Sequence, residues 1–217
     1  MRRRALLDAN VLWSAQQRNL LLQFAVQETI SVHWTAGIIE EWLRNVEPPL
    51  RARLEERTLP LMRRHFPDAV VEGVDEERDT GRTDVKDRHV ARAALAVAPC
   101  AIVTWDLADF DREHLEREGV QVLSPDALLA ELFDAGPELV FAVVREAQAN
   151  LTKSAPSWDD YLDLLAGRHG LTAFVARLKA FEQSLPRGIE ETDAINVLSG
   201  REMESTSIAQ PDPSKRK

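Results

Sequence analysis

The chain has 217 residues, 44% of them hydrophobic and 29% charged, with a formal net charge of −9. That describes a folded globular protein with one good-sized core and an appendage, or two small domains, and argues against broad, nonspecific attraction to nucleic acid. The single Cys100 excludes an intramolecular disulfide framework and a cysteine-built zinc site. The longest apolar stretch, residues 93–103, is too short to span a bilayer, and Arg2-Arg3-Arg4 with only three apolar residues before Asp8 does not read as a secretory signal. A cytoplasmic protein is the expectation.

Residues 5–8 read as a first strand, followed by a helix over about 11–27. A second strand at 31–34 leads to Thr35, an N-cap for a helix that runs to Val46 and stops before Pro48-Pro49. Residues 50–66 are predicted helical, restarted at Pro60, and 69–74 form a third, exposed strand. After the Gly81-Arg82-Thr83 turn come a helix at 85–98, a strand at 101–104, a short helix at 112–118, a strand at 121–123 and a helix opened by Ser124-Pro125. Strands alternating with helices predict an α/β fold with a central parallel sheet. Beyond Gly136 the strand signal ends, and three helices are expected at 137–151, 158–168 and 171–185. The expected division is an α/β domain over 1–135, a helical C-terminal domain over 136–204 and a disordered tail over 205–217.

Asp8 and Asp106 each end a strand, so in one parallel sheet both carboxylates emerge at the edge where open α/β folds place their sites. Helices that follow strands begin at that same edge. On the helix from Val85 the apolar stripe Val90, Ala94, Val97, extended back by three, lands on Asp87. On the helix from Thr35, Ile38, Glu41, Trp42 and Asn45 share a face, and Glu40 points away. Four carboxylates in one notch repel unless a cation neutralises them, and oxygen-only ligation favours Mg²⁺, with Mn²⁺ as the alternate. Thr104 and Asn10 are candidates for supporting hydrogen bonds, and Asp109 is a fifth acid.

Each residue also has an ordinary reading. Asp84 is assigned to helix capping, and Asp87 alone could stabilise the same first turn. His89 reads as a surface or packing residue. Trp13, Trp34 and Trp42 are assigned to the core, with Trp105 placed to stack on a base. Arg51, Arg53 and Arg57 form either a solvated face or a contact for RNA phosphates or an acidic partner segment.

Asp8-Ala9-Asn10, Ile39-Glu40-Glu41-Trp42, Asp87-Arg88-His89-Val90 and Val103-Thr104-Trp105-Asp106, followed by Asp109-Phe110, resemble the PIN-domain ribonucleases in order and spacing, above all the VapC-type toxins of bacterial toxin–antitoxin pairs. The resemblance covers roughly residues 4–134. It implies a three-layer α/β/α fold and metal-dependent endoribonuclease chemistry leaving a 5′-phosphate and a 3′-hydroxyl. Its catalytic acids fall on Asp8, Glu41, Asp87 and Asp106, with Asp8, Asp87 and Asp106 as metal ligands. Its implied partners are RNA and a cognate antitoxin that blocks the crevice with a basic side chain, and a homodimer is left open. Two rival readings stand beside it. One is a catalytically inactive PIN-like module that binds RNA or protein. The other is a small-molecule phosphohydrolase, disfavoured because residues 8–12 lack a second Asp and no phosphate loop occurs.

Overall fold

The computed structural model describes residues 2–152 and 154–185. The expected tail at 205–217, and the expected C-terminal domain beyond 185, lie outside the described residues. Four short strands, β1 (Arg3–Leu7), β2 (Ile30–His33), β3 (Cys100–Val103) and β4 (Val120–Leu123), form one all-parallel sheet in the order β2-β1-β3-β4. Helices flank it in three layers, as the alternating pattern predicts. Ala5, Leu6, Leu7, Ala101, Ile102 and Val103 are wholly buried, the mark of strands covered on both faces. The chain passes from β1 to β2 on one side and later to β3 on the other. The strand order therefore reverses between β1 and β3, where sheets of this kind open a crevice.

The first predicted helix is in fact two. Asp8 caps α1 (Ala9–Leu12), and Ser14 then caps α2 (Ala15–Val26), its hydroxyl accepting from the Gln17 N–H. The break turns Trp13 outward. It is 64% exposed, with its indole N–H donating to the Asn45 carbonyl at 3.2 Å, so its assignment to the core fails while Trp34 and Trp42 hold theirs. Thr35 caps α3 (Ala36–Arg44) as expected. Pro48 and Pro49 start α4 (Pro48–Arg53), because proline suits a first turn that needs no N–H. A π-helical stretch, Leu54–Thr58, carries α4 into α5 (Leu59–His65).

The third, exposed strand does not form. Residues 67–69 are a 3₁₀ turn, and the segment pairs with the sheet only through a Trp34–Val70 bridge, Gly73 taking a left-handed conformation soon after. The helix from Val85 begins as a 3₁₀ turn, Val85–Asp87, and continues as α6 (Arg88–Ala96), with Val90, Ala91, Ala93 and Ala94 buried. Then come α7 (Arg112–Arg117) and α8 (Pro125–Ala135), which Ser124 caps.

The helices past Gly136 are α9 (Pro137–Ala149), α10 (Trp158–Asp163) with a π-helical continuation at Leu164–Arg168, and α11 (Thr172–Ser184). They share one apolar core with the sheet, α9 lying against α2 and α11 against α8. Aromatic edges knit them together. Phe181 meets Phe133 and Phe141 at ring separations of 5.9 and 5.4 Å, and the Arg145 guanidinium stacks over Trp158 at 4.4 Å. Among the described residues, no helix is long and apolar enough to cross a membrane.

Candidate active site

Leu7 pairs with Val103 across the β1–β3 ladder, so Asp8 and Thr104 leave the sheet side by side. The ladder runs one step further, the Asp8 N–H donating to the Val103 carbonyl at 3.1 Å. Asp8 is buried. Its Oδ1 accepts from the Ala9 N–H at 2.7 Å, and its Oδ2 accepts from the Thr104 hydroxyl at 2.7 Å and the Asn10 amide at 3.0 Å. Burial raises the Asp8 pKa above the ordinary carboxyl value, the Thr104 and Ala9 hydrogen bonds oppose it, and the Glu41 charge adds to it.

Asn10 joins the two strand-end acids. Its Nδ2 also reaches Thr104 Oγ1 at 2.9 Å and Asp106 Oδ2 at 3.1 Å. The amide orientation follows from the other end, because Oδ1 faces the Trp105 N–H at 3.2 Å and only an oxygen can accept there. Thr104, wholly buried, accepts in turn from the Asp106 N–H at 3.1 Å. Asp8 and Asp106, far apart in sequence, are thus tied through two neutral side chains.

Asp87 arrives on a loop stitched to the segment after β3. The Asp84 N–H donates to the Asp109 carbonyl at 2.7 Å, the Asp111 N–H to Thr83 Oγ1 at 3.1 Å, and the Arg82 N–H to Asp111 Oδ2 at 2.8 Å. Gly81 permits this closeness: its φ is +62°, and a Cβ there would lie 2.6 Å from Asp111 Oδ2. Hydrogen bonds from the Arg82 and His114 N–H groups hold the Asp111 carboxyl down at about 2, so this acid is a clamp and a cap. Asp84 caps the 3₁₀ turn, as expected, while Asp87 makes no capping bond.

Asp87 is 8% exposed, and among the described residues its Oδ2 has no hydrogen-bond partner. Burial pushes its carboxyl up to about 6. The Lys86 ammonium opposes that rise, and the charges of Asp8, Asp109 and Asp84 reinforce it. Lys86 Nζ stands 2.8 Å from Asp109 Oδ2 and 3.8 Å from Asp87 Oδ2.

Glu41, on α3, is partly exposed, with His89 Nε2 3.3 Å from its Oε2, an ion pair when the imidazole is protonated. His89 Nδ1 faces the Lys86 carbonyl at 2.9 Å. Glu40 points away and pairs with Arg44 at 3.6 Å.

The structure therefore brings Asp8, Asn10, Thr104 and Asp106 into one bonded group, with Asp87 and Glu41 inside the field of Asp8 and Asp109 joined to Asp87 through Lys86. It does not draw the acids into a shell: among the described residues, no three of the Asp, Glu, His or Cys side chains are arranged as they would be around one metal ion. Arg51, Arg53 and Arg57 stand exposed on α4 and the π-helical stretch after it, Arg51 held by Glu55 at 2.9 Å, and none of the three is bonded to these acids. A groove of about 530 Å³ opens elsewhere, between α2, α5 and α9, and holds none of the acids. The sequence reading missed Lys86 and the pairing of His89. Their adjacency to Asp87 was visible, but no periodicity said that they would lie against Asp109 and Glu41.

Residues 125–180 match the family model described as the VapC50 C-terminal domain. No curated protein and no solved structure matches the chain. The matched segment takes in α8, α9, α10 and most of α11 and stops short of all four strands, so the likeness it establishes is that of the helical layer.

Proposed function

We propose that this chain is a divalent-cation-dependent endoribonuclease, the toxin of a toxin–antitoxin pair. The observation that carries the reading is the Asp8–Asn10–Thr104–Asp106 group beside an Asp87 carboxylate whose buried oxygen accepts no hydrogen bond among the described residues. The ordered motifs that resemble PIN-domain ribonucleases support it, as does the match of the helical layer to a domain named for a VapC protein.

The donor chemistry fits a hard cation, Mg²⁺ or Mn²⁺. The candidate ligands offer only oxygen, two of the acids are raised by burial and by neighbouring carboxylates, and one buried oxygen accepts no hydrogen bond among the described residues. Asp8, Asp87 and Asp106 would hold it, with Glu41 adding negative charge. A bound cation of this kind supplies Lewis acidity at a phosphoryl oxygen and makes a water nucleophilic near neutral pH. The protein's own part is positioning. Thr104 and Asn10 fix the Asp8 and Asp106 carboxylates in orientation, and the Gly81–Asp111 clamp fixes the loop that delivers Asp87. The expected products carry a 5′-phosphate and a 3′-hydroxyl. The implied partner is a cytoplasmic antitoxin that covers the acids with a basic side chain.

A titration of RNA cleavage against Mg²⁺ and chelator, comparing wild type with Asp8→Asn, tests the reading. Mg²⁺-dependent cleavage lost in the variant supports it; no cleavage by the wild type at any Mg²⁺ concentration sinks it. A second reading, a non-catalytic module that binds RNA or protein, draws on the arrangement of Lys86 between Asp109 and Asp87 and on the absence of a ready ligand shell among the described residues. It requires RNA affinity that survives loss of the acids.

A further inference from the structure

The helical layer reaches the acid group at one turn. The π-helical stretch Leu164–Arg168 ends in His169-Gly170, and α11 begins immediately after. Both flanks of the turn are anchored. The Leu171 N–H donates back to the Leu165 carbonyl at 3.0 Å, and the Asp126 carboxylate of α8 accepts from the Ala173 and Phe174 N–H groups at 3.1 and 2.9 Å.

From that anchorage the turn makes two contacts. His169 Nδ1 lies 3.2 Å from the hydroxyl of Ser14, the residue that caps α2 four places after Asn10. His169 is 8% exposed and, among the described residues, its Nε2 has no hydrogen-bond partner, so Ser14 is the polar attachment of the ring there. Gly170 has φ +66°, and a Cβ there would lie 3.3 Å from the far edge of the Trp105 indole, tighter than ordinary packing. Trp105 is held at its polar atoms as well. Its indole N–H donates to Gln17 Oε1 at 3.3 Å, and its backbone N–H donates to Asn10 Oδ1. The next residue is Asp106.

We infer that the His169–Gly170 turn is a positioning element for the acid group: by seating Trp105 and Ser14, it sets where Asp106 and Asn10 stand relative to Asp8. The helical layer is then a brace for the site rather than an independent binding module. The inference rests on the reading of the acids as a nuclease site. His169 and Gly170 are positioning residues and touch none of the acids.

The full chain carrying Gly170→Ala, Gly170→Val, His169→Ala or His169→Asn tests it. Circular dichroism and thermal melting identify the variants that fold. Acrylamide quenching of tryptophan fluorescence, differenced against the same protein with Trp105→Phe, reads how Trp105 is seated. Mg²⁺-dependent cleavage of a single-stranded RNA oligonucleotide then gives kcat and KM separately. Folded Gly170 variants are expected to raise Trp105 quenching about two-fold and lower kcat about ten-fold, with KM within two-fold, because orientation rather than substrate affinity is lost. His169→Ala should lower kcat by a few-fold. His169→Asn, which keeps a polar atom near the position of Nδ1, should restore it. Unchanged Trp105 quenching in the Gly170 variants overturns the seating. Changed quenching with wild-type kcat overturns the link to the acids while the nuclease reading stands. A wild type that cleaves no RNA fails the nuclease reading itself and takes the positioning role with it.

Discussion

The two halves of the acid group are stabilised by different means. On the β1–β3 side, Asp8 and Asp106 are satisfied by hydrogen bonds from neutral donors that lock their orientation. On the α3–α6 side, the Lys86 ammonium stands 3.8 Å from Asp87 and the His89 imidazole 3.3 Å from Glu41, and among the described residues one Asp87 oxygen accepts no hydrogen bond. One half is held by hydrogen bonds; the other rests on charge. Such an asymmetry suits a site whose rigid wall orients a ligand and whose charged wall supplies the affinity.

The comparison is broken most severely at Asp8, which belongs to both halves through its hydrogen bonds and its repulsion with Glu41. Asp8→Asn should lower Mg²⁺-dependent RNA cleavage by roughly 10³-fold with the fold intact by circular dichroism. Thr104→Val attacks the rigid wall alone. It leaves Asp8, Asn10 and the Asp106 N–H short of a partner in a wholly buried place, at a cost of about 1–3 kcal/mol in stability, and should cut cleavage by ~10–100-fold. Thr104→Ser, which keeps the hydroxyl, should stay near wild type; urea denaturation and initial rates read both.

Asp87→Asn sharpens the other half. The folded-state pKa of about 6 lies above the ordinary carboxyl value of 3.8, so the folded chain holds a proton that the unfolded chain releases between those two pH values. Stability from this group is therefore greatest below pH 4, falls as pH rises through that window and stays low above it. In chelator, Asp87→Asn should be more stable than wild type at pH 7.5 by about 1 kcal/mol, ~2–4 °C in melting temperature for a chain of this size, with no difference at pH 4. Added Mg²⁺ should stabilise the wild type and not the variant. The smallest effect is expected from Lys86→Met, which removes a tethered cation that competes for Asp87 and Asp109. The Mn²⁺ dissociation constant by calorimetry should tighten by a few-fold, and a weakened constant would mean that Lys86 supports the site.

The rigid wall was legible in the sequence, because it depends on strand ends, and strand ends follow from where the apolar runs stop before Asp8 and Thr104. The charged wall was legible only as acids. Their cationic neighbours depend on how a loop is clamped by Gly81 and Asp111, residues whose own spacing carries no signal. Two local errors have the same root. Trp13 has the identity of a core residue, but a Ser14 cap one place later ends the helical phase that would have buried it. Residues 69–74 have the composition of a strand, but they make a single isolated bridge, the Ala69 carbonyl and the Val71 N–H pairing with Trp34. In both, residue type was a good guide to preference and a poor one to the tertiary partner that decides.

The one-to-one ladder between β1 and β3 also acts as a spacing gauge. Shifting β3 by a single residue would bring the Trp105 indole to the place where the small Thr104 hydroxyl sits, and the space beneath Asp8 cannot take a bicyclic ring. The spacing of the two strand ends that carry Asp8 and Thr104 is therefore enforced by steric exclusion in the molecule's interior, and the His169–Gly170 turn acts only on the residues that follow them.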